Sequence, residues 1–278
     1  MENLKSTPYP SIGQAVVLSL IVVAFMLILS PVVFLKEFVG QEMATFIYYL
    51  LSMGLPFWIL YSMRKSNTGE RSFNFKIVFK TTIPLILLAT LGIQYSLTLP
   101  ISTLIPMSDS MRAAFSIALG NPRNIFSIAT LVILAPIFEE LIFRGIILNG
   151  LLKRYSPLLS IVVSSLLFAA VHLNPWQFVS AFILGLFIGW VYLRTKSILL
   201  AIIIHAFNNF AAILPEILGF TTSADKKISL SEYFGGTFNY ALIIILAGFT
   251  AITCIYLINK SFIKDRVENH EVKHSEEA

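Results

Sequence analysis

Long apolar runs, separated by short polar segments, follow one another along almost the whole chain. Eight of these runs are candidate membrane spans, since a transmembrane helix needs about 20 mostly apolar residues; the fifth is the shortest. The predicted spans are residues 13–35, 43–63, 81–105, 126–150, 158–173, 176–193, 197–215 and 238–258. The pattern therefore predicts an all-α fold, a polytopic transmembrane helical bundle of about eight spans.

Prolines and polar residues mark the breaks in this pattern. Asn174-Pro175, between the fifth and sixth spans, is typical of a tight turn, so these two spans are predicted to form a helical hairpin. Pro136 lies inside the fourth span, where we expect a kink or a half-broken helix. Residues 110–119 are consistent with a short amphipathic helix. The polar tail after Lys260 is expected to be disordered.

The composition indicates that lipid is the solvent of this chain. Of its 278 residues, 56% are hydrophobic and 13% are charged, and the mean hydropathy is +0.81. A soluble domain carries about 25% charged residues, so this chain has too little polar surface for one. The net charge of +5 does not indicate nucleic-acid binding, because the basic residues lie between the apolar runs. The single cysteine, Cys254, excludes an internal disulfide and cysteine-rich metal sites.

Lysine and arginine are divided unevenly between the two sides of the predicted membrane. With eight spans, fourteen of the 20 basic residues fall on the side of the N-terminus and five on the other side, while Arg144 lies inside a span. Cytoplasmic loops of membrane proteins are enriched in Lys and Arg. The sequence therefore predicts that both termini lie in the cytoplasm.

Seven ionisable or amide side chains in or beside the apolar spans are the candidates for function. They are Glu139, Glu140, Arg144, His172, His205, Asn208 and Asn209. A charged side chain near the bilayer centre costs about 2.5–3.5 kcal/mol on insertion scales, and such groups usually face a bundle interior and mark a functional path. A buried structural ion pair is the simpler interpretation, but it accounts for only one of the two carboxylates.

Helix geometry separates the two glutamates. Glu140 and Arg144 are four residues apart and share a face, with the acid on the favourable N-terminal side. Glu139 points about 100° away around the helix. We therefore expect Glu140 to neutralise Arg144 and Glu139 to face a different partner. By the same spacing, His205 shares a face with Asn209.

A carboxylate, two imidazoles and an amide on three spans suit the activation of water and the stabilisation of an oxyanion. Glu139, His172 and His205 are also a candidate Zn²⁺ ligand set with one open position. The sequence does not choose between direct and metal-assisted activation of water. It contains no GxSxG and no glycine-rich phosphate loop, and its HExxH sequence at His270–His274 lies in the polar tail and not in an apolar span.

These residues also form three motifs in which the chain resembles the CPBP family, the CAAX prenyl protease and bacteriocin-processing proteins, also called the Abi family. The motifs are EExxxR at Glu139, Glu140 and Arg144, FxxxH at Phe168 and His172, and HxxxN at His205 and Asn209. The resemblance covers about residues 125–215. It implies an α-helical intramembrane endopeptidase, of a group often described as metalloproteases although the need for a metal is unsettled.

The resemblance also implies a role for each motif residue. Glu139 and His172 would activate water, and His205 and Asn209 would stabilise the oxyanion. Glu140 and Arg144, with Phe168, would support the site. On this basis we divide the chain into N-terminal transmembrane helices (1–125), a catalytic core (126–215), and a last transmembrane helix with a polar cytoplasmic tail (216–278).

The implied partners are a membrane-associated peptide or protein substrate and the lipid bilayer. Members of the family cleave prenylated C-terminal motifs or are linked to bacteriocin processing and immunity, and the compact chain favours an immunity-type member in a bacterial cell membrane. Two other functions remain open. One is a proton- or cation-coupled transporter that uses the buried acids and histidines as a relay. The other is a non-catalytic immunity or binding protein of the membrane.

Overall fold

The structure, a computed structural model, describes residues 8–77, 79–111, 117, 120–219 and 230–276. In these residues there are helices and turns and no strands, so the predicted all-α fold is confirmed. The eight long helices are α1 (Ile12–Val39), α2 (Gln41–Thr68), α3 (Lys80–Thr103), α4 (Ile125–Leu151), α5 (Pro157–Ala170), α6 (Pro175–Thr195), α7 (Ile198–Ile217) and α8 (Thr237–Glu276). The amphipathic helix predicted at 110–119 lies largely outside the described residues.

Seven of these helices are long and apolar enough to cross a membrane, which makes the protein an integral multi-pass membrane protein. The exception is α5, which has 14 residues. At about 1.5 Å per residue it rises about 21 Å, less than the hydrocarbon thickness of about 30 Å. It corresponds to the span that the sequence pattern predicts to be the shortest.

Loop contacts at the two ends of the bundle show how the helices alternate in direction. At one end, Glu70 after α2 binds Lys153 after α4, and the backbone N–H of Ile198 at the start of α7 donates to the carbonyl of Asn74 over 2.8 Å. At the other end, Arg123 before α4 donates to the last two carbonyls of α7, over 3.2 Å each. Helices α2 and α4 therefore run in one direction and α7 runs in the other.

Glu70 joins the ends of two helices through a small charged cluster. Its carboxylate accepts hydrogen bonds from Lys153 and from the buried Arg64, whose Nη2 lies 2.9 Å from Oε2 and 3.1 Å from the carbonyl oxygen of Ser72. Burial alone would raise the pKa of Glu70, but the hydrogen bonds and charges of Lys153 and Arg64 outweigh it and lower that pKa below its ordinary value. The cluster fixes the loop after α2 against the end of α4.

Helices α5 and α6 form the predicted hairpin. The Asn174 side chain begins α6 by accepting the backbone N–H of Trp176 over 2.9 Å. Along the pair, a Cβ added to Gly185 would lie 3.0 Å from the Ser165 side chain. The small residue lets the two helix backbones approach closely. This contact holds together two groups that surround Arg144, which are Phe168 of α5 and the carbonyl of Gly185 of α6.

Gly92 provides a test of the packing between α3 and α8. A Cβ at this position would lie 2.7 Å from the carbonyl oxygen of Ala247 and 2.8 Å from the backbone nitrogen of Ala251. Backbone atoms cannot rotate away, so we expect Gly92→Ala to destabilise the protein by about 1–3 kcal/mol through overpacking. Thermal unfolding in lipid nanodiscs measures the loss. Gly13→Ala is the matched control, because nothing lies within 4 Å of a Cβ there; equal unfolding midpoints for the two variants would contradict the prediction.

The expected disorder after Lys260 is wrong for the backbone, because α8 continues without a break to Glu276. Extending an existing helix adds one hydrogen bond for each residue that is fixed, whereas starting a helix is costly. The apolar span of α8 supplies that start.

Candidate active site

Helix α4 carries both glutamates and changes its hydrogen-bonding pattern on either side of them. It is π-helical over Ala129–Leu134 and again over Leu141–Leu148, with a short α-helical stretch, Ala135–Glu140, between. Such widened turns are rare and are frequent at functional sites. The break expected at Pro136 is therefore a change of register inside a continuous helix.

Pro136 explains where Asn209 binds. In the π-helical turn the N–H of Ala135 donates to the carbonyl of Thr130, and the next donor in that register would be Pro136, which has no N–H. The carbonyl of Leu131 is thus left without a donor from its own helix. Asn209 of α7 donates to it from Nδ2 over 2.9 Å. This amide therefore ties α7 to the backbone of α4 before the glutamates.

Glu140 lies at the centre of a buried charged network. Its Oε1 accepts from Arg144 Nη1 over 3.0 Å and from His205 Nδ1 over 2.8 Å. Arg144 also donates from Nη2 to the carbonyl of Gly185 over 3.2 Å, which adds α6 to the network. The side chains of Glu140 and Arg144 are 0% and 1% exposed. The predicted pairing of Glu140 with Arg144 is confirmed, and the additional bond to His205 joins α4 to α7.

Glu139 has a partner different from that of Glu140, as the helix geometry predicts, and the sequence did not reveal it. The hydroxyl of Tyr49, on α2, donates to Glu139 Oε1. The other oxygen, Oε2, is buried and has no hydrogen-bond partner among the described residues. It lies 3.7 Å from His205 Nε2. Tyr49 follows Tyr48 inside the apolar run 43–63, so the only available signal was a phenol at membrane depth.

Phe168 of α5 packs among the polar groups. Its ring lies edge-on to both imidazoles, with centroid distances of 5.2 Å to His172 and 5.6 Å to His205. The guanidinium carbon of Arg144 lies 4.6 Å from the centre of the same ring. Phe168 is itself 1% exposed. One aromatic side chain therefore helps to set the orientation of both histidines and of the arginine.

His172 lies at the end of α5 with one ring nitrogen already bound. Its Nδ1 is 2.9 Å from the carbonyl oxygen of Phe168. A carbonyl can only accept, so Nδ1 carries the proton, and in the neutral ring Nε2 has a free lone pair. The second histidine shows a parallel arrangement, since His205 binds Glu140 through Nδ1 and presents Nε2 towards Glu139.

The structure thus brings Glu139, Glu140 and His205 into direct contact, and Phe168 links that group to His172. Asn209 is bound to the α4 backbone. In the described parts of the chain, no three His, Cys, Asp or Glu side chains are grouped so that they could hold a metal ion. The candidate zinc ligands Glu139, His172 and His205 therefore do not form such a set there. What the arrangement offers chemically is a buried carboxylate oxygen that can accept a proton from water, with an imidazole beside it.

A polytopic helical membrane protein that encloses a carboxylate–imidazole cluster between its helices is the class that this fold and site define. Residues 121–211 match the family model described as type II CAAX prenyl endopeptidase Rce1-like. That segment contains every motif residue from Glu139 to Asn209. The family match therefore falls on the same segment as the three motifs, and the resemblance seen in them is confirmed.

Two curated relatives are similar to the chain. An "Uncharacterized 24.3 kDa protein" of Escherichia coli is 36% identical over 89 residues, which are 30% of this chain and 41% of the relative. A "CAAX prenyl protease 2" of Methanococcus maripaludis is 28% identical over 186 residues, 59% of this chain and 66% of the relative. The chain thus spans less than two thirds of the length of either relative. No solved structure matches it.

Proposed function

We propose that this protein is an intramembrane endopeptidase that hydrolyses a peptide bond of a membrane-associated protein or peptide. The observation that carries the proposal is the free oxygen of Glu139. Oε2 is buried, lacks a hydrogen-bond partner among the described residues, and faces an imidazole nitrogen 3.7 Å away. A buried polar atom without a partner is costly, and a water molecule bound between Oε2 and a substrate carbonyl would supply the missing partner.

In the proposed reaction Glu139 is the general base. Its Oε2 takes a proton from water, and the hydroxide oxygen attacks the carbonyl carbon of the peptide bond. His172 shares this role, because its bound Nδ1 leaves the Nε2 lone pair available to orient or deprotonate the same water. When the tetrahedral intermediate collapses, the proton passes from Glu139 to the leaving amine.

His205 and Asn209 are the proposed donors to the oxyanion. With both ring nitrogens protonated, His205 donates through Nδ1 to Glu140 and has Nε2–H available for developing negative charge. One N–H of the Asn209 amide is used by the carbonyl of Leu131, which leaves the second for the oxyanion. The Glu140–Arg144 pair supports this arrangement by fixing the orientation of the His205 ring.

The substrate class is proposed from the family. The family description and the name of the Methanococcus relative both specify CAAX prenyl proteins, so a peptide with a prenylated cysteine near its C-terminus is the first substrate to test. Bacteriocin processing or immunity remains a second proposal within the same chemistry. We also propose a bacterial cell membrane, and the asymmetry of Lys and Arg supports an orientation with both termini in the cytoplasm.

The test uses the purified full chain in lipid nanodiscs with three peptide probes. These carry a farnesylated cysteine, the same sequence without the prenyl group, and an apolar transmembrane helix. We expect cleavage of at least one anchored peptide, with product masses that sum to the substrate plus one water. Activity that survives a strong chelator supports direct activation of water, whereas activity that is lost and then restored by Zn²⁺ supports a metal.

If no probe is cleaved, the proposal is contradicted, and two further measurements identify the alternative. Proton or cation flux into proteoliposomes would indicate a transporter. Tight binding of an intact peptide without turnover would indicate a non-catalytic immunity or binding protein.

A further inference from the structure

Tyr49 contacts the proposed general base from outside the segment that matches the family. The matched residues are 121–211, whereas Tyr49 belongs to α2. Its hydroxyl donates to Glu139 Oε1. We propose that Tyr49 is a positioning residue for the hydrolytic reaction, which binds one oxygen of Glu139 so that the other acts as the base. This inference rests on the proposed function.

The hydrogen bond makes the two oxygens of one carboxylate different. Oε1 is occupied by the phenol, and Oε2 is left without a hydrogen-bond partner in the described structure, on the side of His205 Nε2. A glutamate has three side-chain torsions, and a general base works only when its oxygen lies within hydrogen-bond reach of the proton that it removes. The contact with Tyr49 restricts those torsions, so the free oxygen stays directed towards His205 and the proposed water.

Aromatic packing between α2 and α4 holds the phenol in place. The rings of Phe46 and Phe126 are 5.8 Å apart near the start of the two helices, and those of Phe57 and Phe138 are 5.9 Å apart further along. Both helices therefore run in the same direction with a fixed register on each side of Tyr49. In addition, a Cβ at Gly54 would lie 3.4 Å from the Phe138 ring, which keeps the backbone of α2 close to α4.

Tyr48 is a second phenol on α2, and its hydroxyl has a different acceptor from that of Tyr49. It is the preceding residue on the same helix, and its hydroxyl donates to the backbone carbonyl of Met26 over 2.9 Å, which is a contact between α1 and α2. Both phenols are partly buried hydrogen-bond donors. They differ in the acceptor, since only Tyr49 binds an ionisable side chain of the proposed site. Tyr48→Phe therefore controls for the loss of a hydroxyl from α2.

The experiment compares Tyr49→Phe with Tyr48→Phe in nanodiscs, using the cleaved peptide probe. We expect Tyr49→Phe to lower kcat about tenfold to a hundredfold, because small errors in the position of a catalytic group have effects of that size. KM should change less than twofold, since in the proposed arrangement the phenol binds Glu139 and not the peptide. Tyr48→Phe should keep the kcat of the unmodified protein. In the Glu139→Gln background, Tyr49→Phe should have no further effect on the residual rate.

Each outcome decides between the hypotheses. Loss of kcat in Tyr49→Phe with an unchanged unfolding midpoint supports the positioning role. Unchanged kcat in Tyr49→Phe, together with inactive Glu139→Gln, overturns the role of Tyr49 and leaves the proposed function intact. Equal losses in both phenylalanine variants also overturn it, because they indicate a general effect of α2 on stability. Normal cleavage by Glu139→Gln overturns the role of Glu139 as the base and the inference with it, whereas a lack of cleavage by the unmodified protein overturns the proposed function.

Discussion

Glu139→Gln is expected to reduce kcat for peptide hydrolysis by about 10²–10⁴-fold, the range that general base catalysis contributes. Glutamine keeps the length and shape of the side chain, and its carbonyl oxygen can still accept the hydrogen bond of Tyr49. Its amide group cannot take a proton from water. The variant thus removes the base while preserving the packing around it. The loss of kcat therefore measures the contribution of proton transfer to Glu139.

Cleavage of the anchored peptide probe and thermal unfolding, measured on the same samples, test this prediction. The unfolding midpoint should stay close to that of the unmodified protein. Glu37→Gln is the matched control, because Glu37 is an exposed glutamate near the end of α1 that lies 3.9 Å from the exposed Lys36. A Glu139→Gln protein that cleaves at the unmodified rate would rule out Glu139 as the base, and the same loss in Glu37→Gln would show a non-specific effect of charge.

The helical bundle could be predicted from the sequence because its physical basis is local. An apolar run of about 20 residues has few stable conformations in lipid other than a helix, and the observed helices follow the predicted spans. The hairpin of α5 and α6 was equally accessible through Asn174-Pro175. The prediction for the tail after Lys260 was wrong because the helix there does not depend on the local composition. The tail extends the apolar helix that precedes it, and its polar residues alone do not show this.

The site was only partly accessible from the sequence. The Glu140–Arg144 pair lies within one helix, where a spacing of four residues is enough to predict the contact. Contacts between helices have no such rule. The phenol of Tyr49 and the bond between Glu140 and His205 depend on how α2, α4 and α7 rotate against one another. That rotation is set by packing over the whole bundle.

The π-helical turns of α4 are a second reason why the site could not be fully predicted from the sequence. Predictions from the sequence assumed 3.6 residues per turn throughout α4, but the helix is wider over Ala129–Leu134 and Leu141–Leu148. The register change leaves the Leu131 carbonyl free, and Asn209 binds there. The HxxxN motif implies that Asn209 donates to the oxyanion, but it does not reveal the bond to Leu131. That bond helps to fix α7 against α4, which carries the glutamates.

Arg144→Met is expected to have the largest effect on stability, a loss of about 3–5 kcal/mol, the usual cost of removing one partner from a buried ion pair. Methionine is similar in length and apolar, so the loss reflects the missing charge more than a cavity beneath Phe168. Glu140, which is 0% exposed, would retain only the bond from His205. Yield and the unfolding midpoint in nanodiscs measure the effect, with the exposed Arg71→Met as the matched control.

The double variant Glu140→Gln/Arg144→Met separates charge from packing. Replacing a whole buried ion pair by neutral residues of similar size is often neutral, whereas breaking it leaves an uncompensated charge. We therefore expect the double variant to regain most of the stability lost in Arg144→Met, although the neutral amide would orient His205 less firmly and hydrolysis would stay slow. A double variant no more stable than Arg144→Met would show that the arginine acts through its contacts with Phe168 and the Gly185 carbonyl. Unchanged stability in Arg144→Met alone would remove the structural role of the pair.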